Sequence, residues 1–325
     1  MGSVLDYFAV KKSRNVSRRA FLAAGGIAMA GIWVGKSQSF SARFVRGVCL
    51  DSTRELRDSR QPTPLQWDAN AVTAAWIGHA TVLLNFYGTT ILTDPVMMDR
   101  VGIKVAGMVV GRKRLVAPAL AIAELPKIDL VLLSHAHMDH LDLTTVKALP
   151  QGAAVITAAR TKDLLCETGF KSITELKWGE TATVKNGAGV LEVEAFEVNH
   201  TGARWSSDTY RGYNGYLLRK DGKQVLFGGD TAMTTTFRDL RGRAGKIDLG
   251  IMPIGSYGRR GASHCTPEES VRMANDAGVE HFLPVHHKTF PIGKEPIAEP
   301  MQRLEAAIEP ERIALREIGG TFKMA

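Results

Sequence analysis

Ser134-His135-Ala136-His137-Met138-Asp139-His140-Leu141-Asp142 follows directly on the apolar run Ile128-Asp129-Leu130-Val131-Leu132-Leu133. The run reads as a buried strand opening into a loop, and loops at strand ends are where functional side chains collect. His135 and His137 stand two apart, so in extended backbone they leave the same face and can reach one metal ion. Asp139 and His140 follow at the turn and can reach a second ion close by. Imidazole and carboxylate are ligands that zinc accepts, and a site without thiolate can keep a position open for water. The alternative reading of the same residues is a helix N-terminus carrying solvated polar groups, with Asp142 or Thr144 as cap. Four ligand candidates within six positions favour the metal.

The 325 residues suffice for a sizeable core, and 45% hydrophobic with 23% charged residues is the balance of a soluble globular protein. The net charge of +8 invites a nucleic-acid reading, but its distribution opposes one. Residues 1–46 hold eight Lys/Arg against the single acid Asp6, which leaves the other 279 residues with 33 bases and 32 acids. The body is nearly neutral, so no nucleic-acid partner is expected. Cys49, Cys166 and Cys265 form no CxxC pair, so neither a zinc ribbon nor a disulfide framework is indicated.

Near the N-terminus, Ser17-Arg18-Arg19-Ala20-Phe21-Leu22 opens sixteen uncharged residues, Ala20 to Gly35. Residues 1–42 thus resemble a twin-arginine export signal, whose sixteen-residue uncharged stretch is shorter than the ~20 apolar residues a membrane span needs. It predicts export to the periplasm or cell envelope, with an uncleaved membrane anchor as the alternative. Residues 43–70 read as a linker or extended arm, and residues 71–325 as the domain proper.

In that domain Val72–Ile77, Thr81–Phe86 and Thr90–Thr93 read as a meander with His79 in its first turn and Asp94-Pro95 at its end. Residues 96–125 read as a long connection, a lid or substrate wall. After the histidine run come a short helix (Thr144–Leu149), a strand (Ala154–Thr157), a helix (Thr161–Thr168) and strands at Ser172–Leu176, Thr181–Lys185 and Val190–Val198. Asp221-Gly222 signals a hairpin between Tyr213–Arg219 and Gln224–Phe227. A strand at Ile247–Met252 precedes a helix that Thr266-Pro267-Glu268-Glu269 starts with a capping box. A strand at His281–Val285, a helix at Glu299–Ile308 and a strand at Arg312–Glu317 complete the chain.

Every further ligand candidate sits past a strand's carboxyl end: His200 after Val198, Asp230 after Phe227, His286 after Val285. That regularity predicts an α/β fold, an αββα sandwich of two packed mixed β-sheets with helices outside and a metal site at one edge. Alone, His200 could be a core histidine and Asp230 a turn carboxylate. A carboxylate bridging two zincs would give the spacing of two-metal hydrolases.

Trp76-Ile77-Gly78-His79-Ala80-Thr81, Thr93-Asp94-Pro95, the HxHxDH run, Asn199-His200, Gly229-Asp230-Thr231 and Val285-His286 resemble, in this order, the metallo-β-lactamase superfamily. Pro253-Ile254-Gly255-Ser256-Tyr257, His264-Cys265-Thr266-Pro267 and His286-His287-Lys288-Thr289-Phe290 look most like its N-acylphosphatidylethanolamine-hydrolysing phospholipase D branch; related lactonases share many of them. The resemblance implies two zinc ions, one on His135, His137 and His200, the other on Asp139, His140 and His286, with Asp230 bridging. It leaves His287 out, and His281 reads as structural.

The activity expected is phosphodiester hydrolysis on a small-molecule or phospholipid-like substrate, with contact to a membrane surface. Asp139 would orient the nucleophile, and His264 would serve as general acid or phosphate contact. Tyr257 and Arg260 are candidate substrate contacts, and His79 and Asp94 would orient ligands. The segment Gly258–Ser263 looks shorter and less aromatic than the phospholipase loop. A lactonase or other esterase, and a non-catalytic metal-binding envelope protein, are the rival readings, since fold alone does not decide function.

Overall fold

A computed structural model describes residues 56–105, 108–258 and 263–324. The expected export signal, the first part of the linker and Arg260 lie outside these residues. Residues 56–70 run against the domain, where Arg57 makes a parallel bridge to Val116.

The first sheet has seven strands: β1 (Val72–Gly78), β2 (Thr81–Phe86), β3 (Thr89–Thr93), β6 (Leu130–Leu133), β7 (Ala154–Ala158), β8 (Ile173–Leu176) and the C-terminal β15 (Thr321–Lys323). Their order is β15-β1-β2-β3-β6-β7-β8, antiparallel as far as β3 and parallel from there on. The second has six strands, β9 (Thr181–Asn186), β10 (Gly189–Phe196), β11 (Gly215–Lys220), β12 (Lys223–Phe227), β13 (Ile247–Pro253) and β14 (Val279–Val285), ordered β14-β13-β12-β11-β10-β9. Here β12, β13 and β14 are parallel and the rest antiparallel.

Period-two alternation assigns the faces of the second sheet. Tyr216, Leu218, Val225, Phe227, Leu249, Ile251, Leu283 and Val285 join the first sheet's Leu83, Leu92, Val131 and Leu133 in one core. Leu217, Leu226, Met252 and Phe282 point the other way, into a cluster with Phe237 and Leu240 of helix α3 (Thr236–Ala244), Val271 and Ala274 of α4 (Pro267–Ala277), and Met301 and Leu304 of α5 (Glu299–Ala307). The first sheet carries the short helices α1 (Leu143–Ala148) and α2 (Lys162–Leu165), whose Val146 and Leu165 join the first cluster. The architecture is the expected αββα sandwich.

Strand β6 shows why the site sits where it does. All four of its residues are buried, as befits a strand with parallel neighbours on both sides. The carboxyl ends of β3, β6, β12 and β14 deliver Asp94, the Ser134–Asp142 run, Asp230 and His286. Asp142 caps α1, accepting from Thr144 N at 3.2 Å and Thr145 N at 3.1 Å. The hairpin between β11 and β12 turns on Asp221 (φ 48°) and Gly222 (φ 76°), as Asp-Gly predicts.

Four expectations need correction. The long connection holds a β-hairpin, β4 (Arg100–Val105) and β5 (Met108–Lys113), in which Gly102 lies opposite Gly111 so closely that a Cβ on Gly102 would sit 2.1 Å from Val110 O. Helix α3 went unanticipated, because only Phe237 and Leu240 bury on an otherwise polar helix. The helix at Thr161–Thr168 shrinks to α2. The last strand is β15 rather than Arg312–Glu317, a segment that opens on the end of a 3-10 turn at Pro310–Arg312 and meets the second sheet where Ile313 bridges Phe282 and Arg312 donates to Val279 O and Glu280 O. Among the described residues no helix is long and apolar enough to cross a membrane, and Cys166 and Cys265 are free thiols.

Candidate metal centre

Asp94, entering at φ 32°, holds the start of the histidine run. Its Oδ1 accepts from Ser134 N at 2.7 Å, and its Oδ2 accepts from Ser134 Oγ at 2.5 Å and His140 Nδ1 at 2.6 Å. Burial raises the Asp94 carboxyl above its ordinary value, against the pull of His140 and Ser134. Because the Ser134 hydroxyl donates to Asp94, its oxygen is left to accept from His135 Nδ1 at 2.8 Å. His135 Nε2 therefore carries a lone pair. On the facing sheet His200 Nδ1 donates to Ser263 O at 2.8 Å, so His200 Nε2 carries one too.

These lone pairs converge. His135 Nε2 lies 2.8 Å, and His200 Nε2 3.2 Å, from His137 Nδ1. One proton on His137 could satisfy only one of its neighbours, whereas a cation suits all three nitrogens. Burial holds His200 down at about 3, His135 well below the ordinary histidine value and His137 below it, so all three favour the neutral, metal-binding form.

A second group lies beside the first. Asp230 Oδ2 sits 3.0 Å from His140 Nε2, 3.1 Å from His286 Nε2 and 3.8 Å from His200 Nε2. Asp139 Oδ2 lies 3.5 Å from His286 Nε2 and 3.9 Å from His140 Nε2. Gly229, at φ 58°, lets this turn pass under the run: a Cβ there would meet Ser134 Cβ and Asn214 O at 2.9 Å. Burial opposes charge on His286, but Asp230 and Asp139 outweigh it and push the ring up to about 9. His140 stands well above its ordinary value for the same reason, with Asp230 the main opponent of burial. Burial alone would raise the Asp139 and Asp230 carboxyls, yet the surrounding imidazoles hold both well below the carboxylate range.

The donor set fits metal ions. His140 Nε2, both ring nitrogens of His286, Asp230 Oδ1 and His264 Nδ1 are buried with no partner in hydrogen-bonding geometry. Such orphans are costly unless a bound group satisfies them. His135, His137 and His200 offer ligand atoms within 4.8 Å of one another; so do His79, Asp139, His140 and His286; so do His200, Asp230 and His264. The sets contain only nitrogen and oxygen donors, as zinc and other borderline divalent ions accept.

His79 enters the second group through a bond of 3.0 Å between its Nε2 and Asp139 Oδ2. An ionised Asp139 only accepts, so His79 Nε2 holds a proton and has no lone pair for an ion. His264 lies at the rim, its Nδ1 3.7 Å from Asp230 Oδ2 and its side chain 20% exposed. Tyr257 donates its hydroxyl to Glu299 at 2.9 Å, and Arg303 lies over its ring. His286 and His287 lie just past β14 rather than on it. His286 takes a left-handed φ of 63°, and His287 stacks on Trp76 at 4.6 Å, away from the converging ligand atoms. His281 packs against Phe322. Sequence reading missed Ser134 as the relay between Asp94 and His135, and Thr289, which accepts a hydrogen bond from His79 N at 2.6 Å.

A family model described as a beta-lactamase superfamily domain matches residues 89–287. The chain is 35% identical over 262 residues to an uncharacterized protein of Mycobacterium tuberculosis, covering 78% of this chain and 68% of that one. It is 31% identical over 251 residues to N-acyl-phosphatidylethanolamine-hydrolyzing phospholipase D 1 of Caenorhabditis elegans, covering 73% of this chain and 69% of the other. Among solved structures, Igni18, a metallo hydrolase from Ignicoccus hospitalis, superposes with a TM-score of 0.59 at 22% identity over 78% of this chain and 99% of its own. The family match runs from strand β3 to His287, through the strand ends that carry the converging donors, and the chain belongs to the beta-lactamase superfamily as a metal-dependent hydrolase.

Proposed function

We propose that the chain is a two-zinc phosphodiesterase acting on phospholipid-like substrates, of the N-acylphosphatidylethanolamine phospholipase D type, exported to the cell envelope. The observation that carries the two-metal part is the position of Asp230, whose Oδ2 is within 3.1 Å of His140 and His286 and 3.8 Å of His200. One carboxylate stands between two groups of nitrogens. His135, His137 and His200 would hold one zinc and Asp139, His140 and His286 the other, with Asp230 placed to serve both. A zinc pair held there would supply Lewis acidity and lower the pKa of a water to about 7.

The chain's own residues do the rest. Asp139, fixed by His79, orients the attacking water. Asp94 and Ser134 keep His140 and His135 in the tautomers that present Nε2. His264, at the exposed rim, gives a proton to the departing alkoxide. Tyr257, half-buried with its proton engaged by Glu299 and Arg303 over its ring, is the proposed substrate contact. Similarity to the Caenorhabditis elegans enzyme supports the substrate class, and the paired arginines Arg18 and Arg19 support export.

The test is zinc analysis of the purified chain together with turnover of N-acylphosphatidylethanolamine, a generic phosphodiester and a lactone. Two zincs with phosphodiester cleavage is the expected result. Lactone cleavage alone overturns the substrate class, and bound zinc without any turnover makes the chain a non-catalytic metal binder.

A further inference from the structure

We infer that Thr289 is a positioning residue for the metal position of Asp139, His140 and His286, acting through the backbone of His79. The inference rests on the two-zinc reading above.

His79 and His286 both hold left-handed backbone, φ 54° and 63°, a region that few non-glycine residues occupy. Such conformations persist only where the surroundings over-determine them. Here the two loops are tied together. His286 N donates to His79 O at 3.0 Å, and Trp76 Nε1 donates to the same oxygen at 2.8 Å. On its other side His79 N donates to Thr289 Oγ1 at 2.6 Å, across 210 residues of chain.

Thr289 is fully buried and fully engaged. Its hydroxyl accepts from His79 and donates to His287 O at 3.1 Å, while its own N donates to that carbonyl at 2.6 Å and its O accepts from Leu115 N at 2.7 Å. The hydroxyl thus bridges the loop carrying His79 and the loop carrying His286.

The consequence reaches the ligands through one ring. His79 Nδ1 is buried with no hydrogen-bond partner, so nothing polar holds the ring from behind. Its direction rests on the backbone and on contacts with His286 at 4.1 Å and Phe290 at 5.2 Å between ring centres. That direction places Nε2 3.0 Å from Asp139 Oδ2. Asp139 stands on a loop, with its side chain 18% exposed, and needs such a partner to hold its carboxylate on the ion. Removing the Thr289 hydroxyl leaves a buried amide unpaired and frees the turn that aims the ring.

The experiment removes metal from the full chain and its Thr289→Val and Thr289→Ser forms, then titrates zinc back against a chromophoric chelator. Wild type should take up two ions. Thr289→Val should bind one zinc as wild type does and the other about 10- to 100-fold more weakly. Thr289→Ser, which keeps the hydroxyl, should restore the second ion. Should Thr289→Val fail to fold, amide exchange in metal-free wild type gives the answer: the His79 N–H should be protected, and rapid exchange overturns the inference. Two zincs held by Thr289→Val as tightly as by wild type overturn it as well. So does an equal weakening of both ions, which would mark a merely structural role. A wild-type chain that takes up fewer than two zincs refutes the two-zinc reading first, and the role of Thr289 with it.

Discussion

His140 stands between two carboxylates: its Nδ1 donates to Asp94 Oδ2 at 2.6 Å, and its Nε2 faces Asp230 Oδ2 at 3.0 Å. The first bond fixes which nitrogen faces the cluster, so Nε2 is the one left to take an ion in place of the proton that Asp230 favours. Asp94→Asn tests this relay. Asparagine tolerates the φ of 32° and can still accept from Ser134 N. Its amide cannot accept from both Ser134 Oγ and His140. The variant should stay folded, with zinc affinity and turnover down about 10- to 100-fold. Circular dichroism with chelator competition measures both, and wild-type affinity would remove Asp94 from the relay.

His140→Ala removes a donor nitrogen from the second group while leaving the strands beneath it intact. Hydrolysis should be lost and the zinc content should fall from two toward one, with the far-ultraviolet spectrum unchanged. Full retained activity would end the two-zinc reading, because beside Asp230 the second group would then offer an ion only Asp139 and His286.

The parts of this site that were legible in the sequence are those encoded by local spacing. His135 and His137 sit two apart after a strand that is apolar on both faces, and Asp230 follows a glycine pair at a hairpin exit. Strand ends were legible too, since β6, β12 and β14 each close on apolar residues, Leu133, Phe227 and Val285, just before the polar residues or glycines that follow. What escaped depends on contacts distant in sequence. Thr289 gains its role only by meeting His79. Helix α3 carries charge on most of its surface and shows only two buried side chains, too weak a stripe to stand out. In the β4–β5 hairpin the facing Gly102 and Gly111 interrupt any alternation a reader could follow.

His264, the proton donor proposed above, lies at the rim, 3.7 Å from Asp230. Donation matters most when the departing group is a poor one. His264→Gln should therefore lower kcat on an alkyl phosphodiester about 100- to 10,000-fold, but much less on a nitrophenyl ester, whose leaving group needs no proton. Zinc content should stay at the wild-type level. An equal loss on both substrates would assign His264 to binding rather than proton transfer.

Arg211 makes a prediction about stability rather than chemistry. Buried on the loop that leads from His200 to β11, it donates to Asp208 through Nε at 2.6 Å, to both oxygens of Asp163 at 2.6 and 2.8 Å, and to Arg160 O at 2.6 Å. Arg211 holds the Asp163 carboxyl below its ordinary value; at Asp208, burial pulls upward but Arg211 and the Trp205 amide outweigh it. Depressed carboxyl values stabilise the fold above the unfolded value of about 4 and lose that contribution as the pH falls through the folded values. Asp163 is 60% exposed, so its share is small after screening. Asp208 is 7% exposed and carries most of the effect. Arg211→Ala strands that carboxylate and should cost toward the low end of the about 3–5 kcal/mol typical of a broken buried pair. Urea unfolding at neutral pH and near pH 3 checks the sign: the gap between variant and wild type should narrow in acid, and a gap that widens there would place the stabilisation outside these carboxylates.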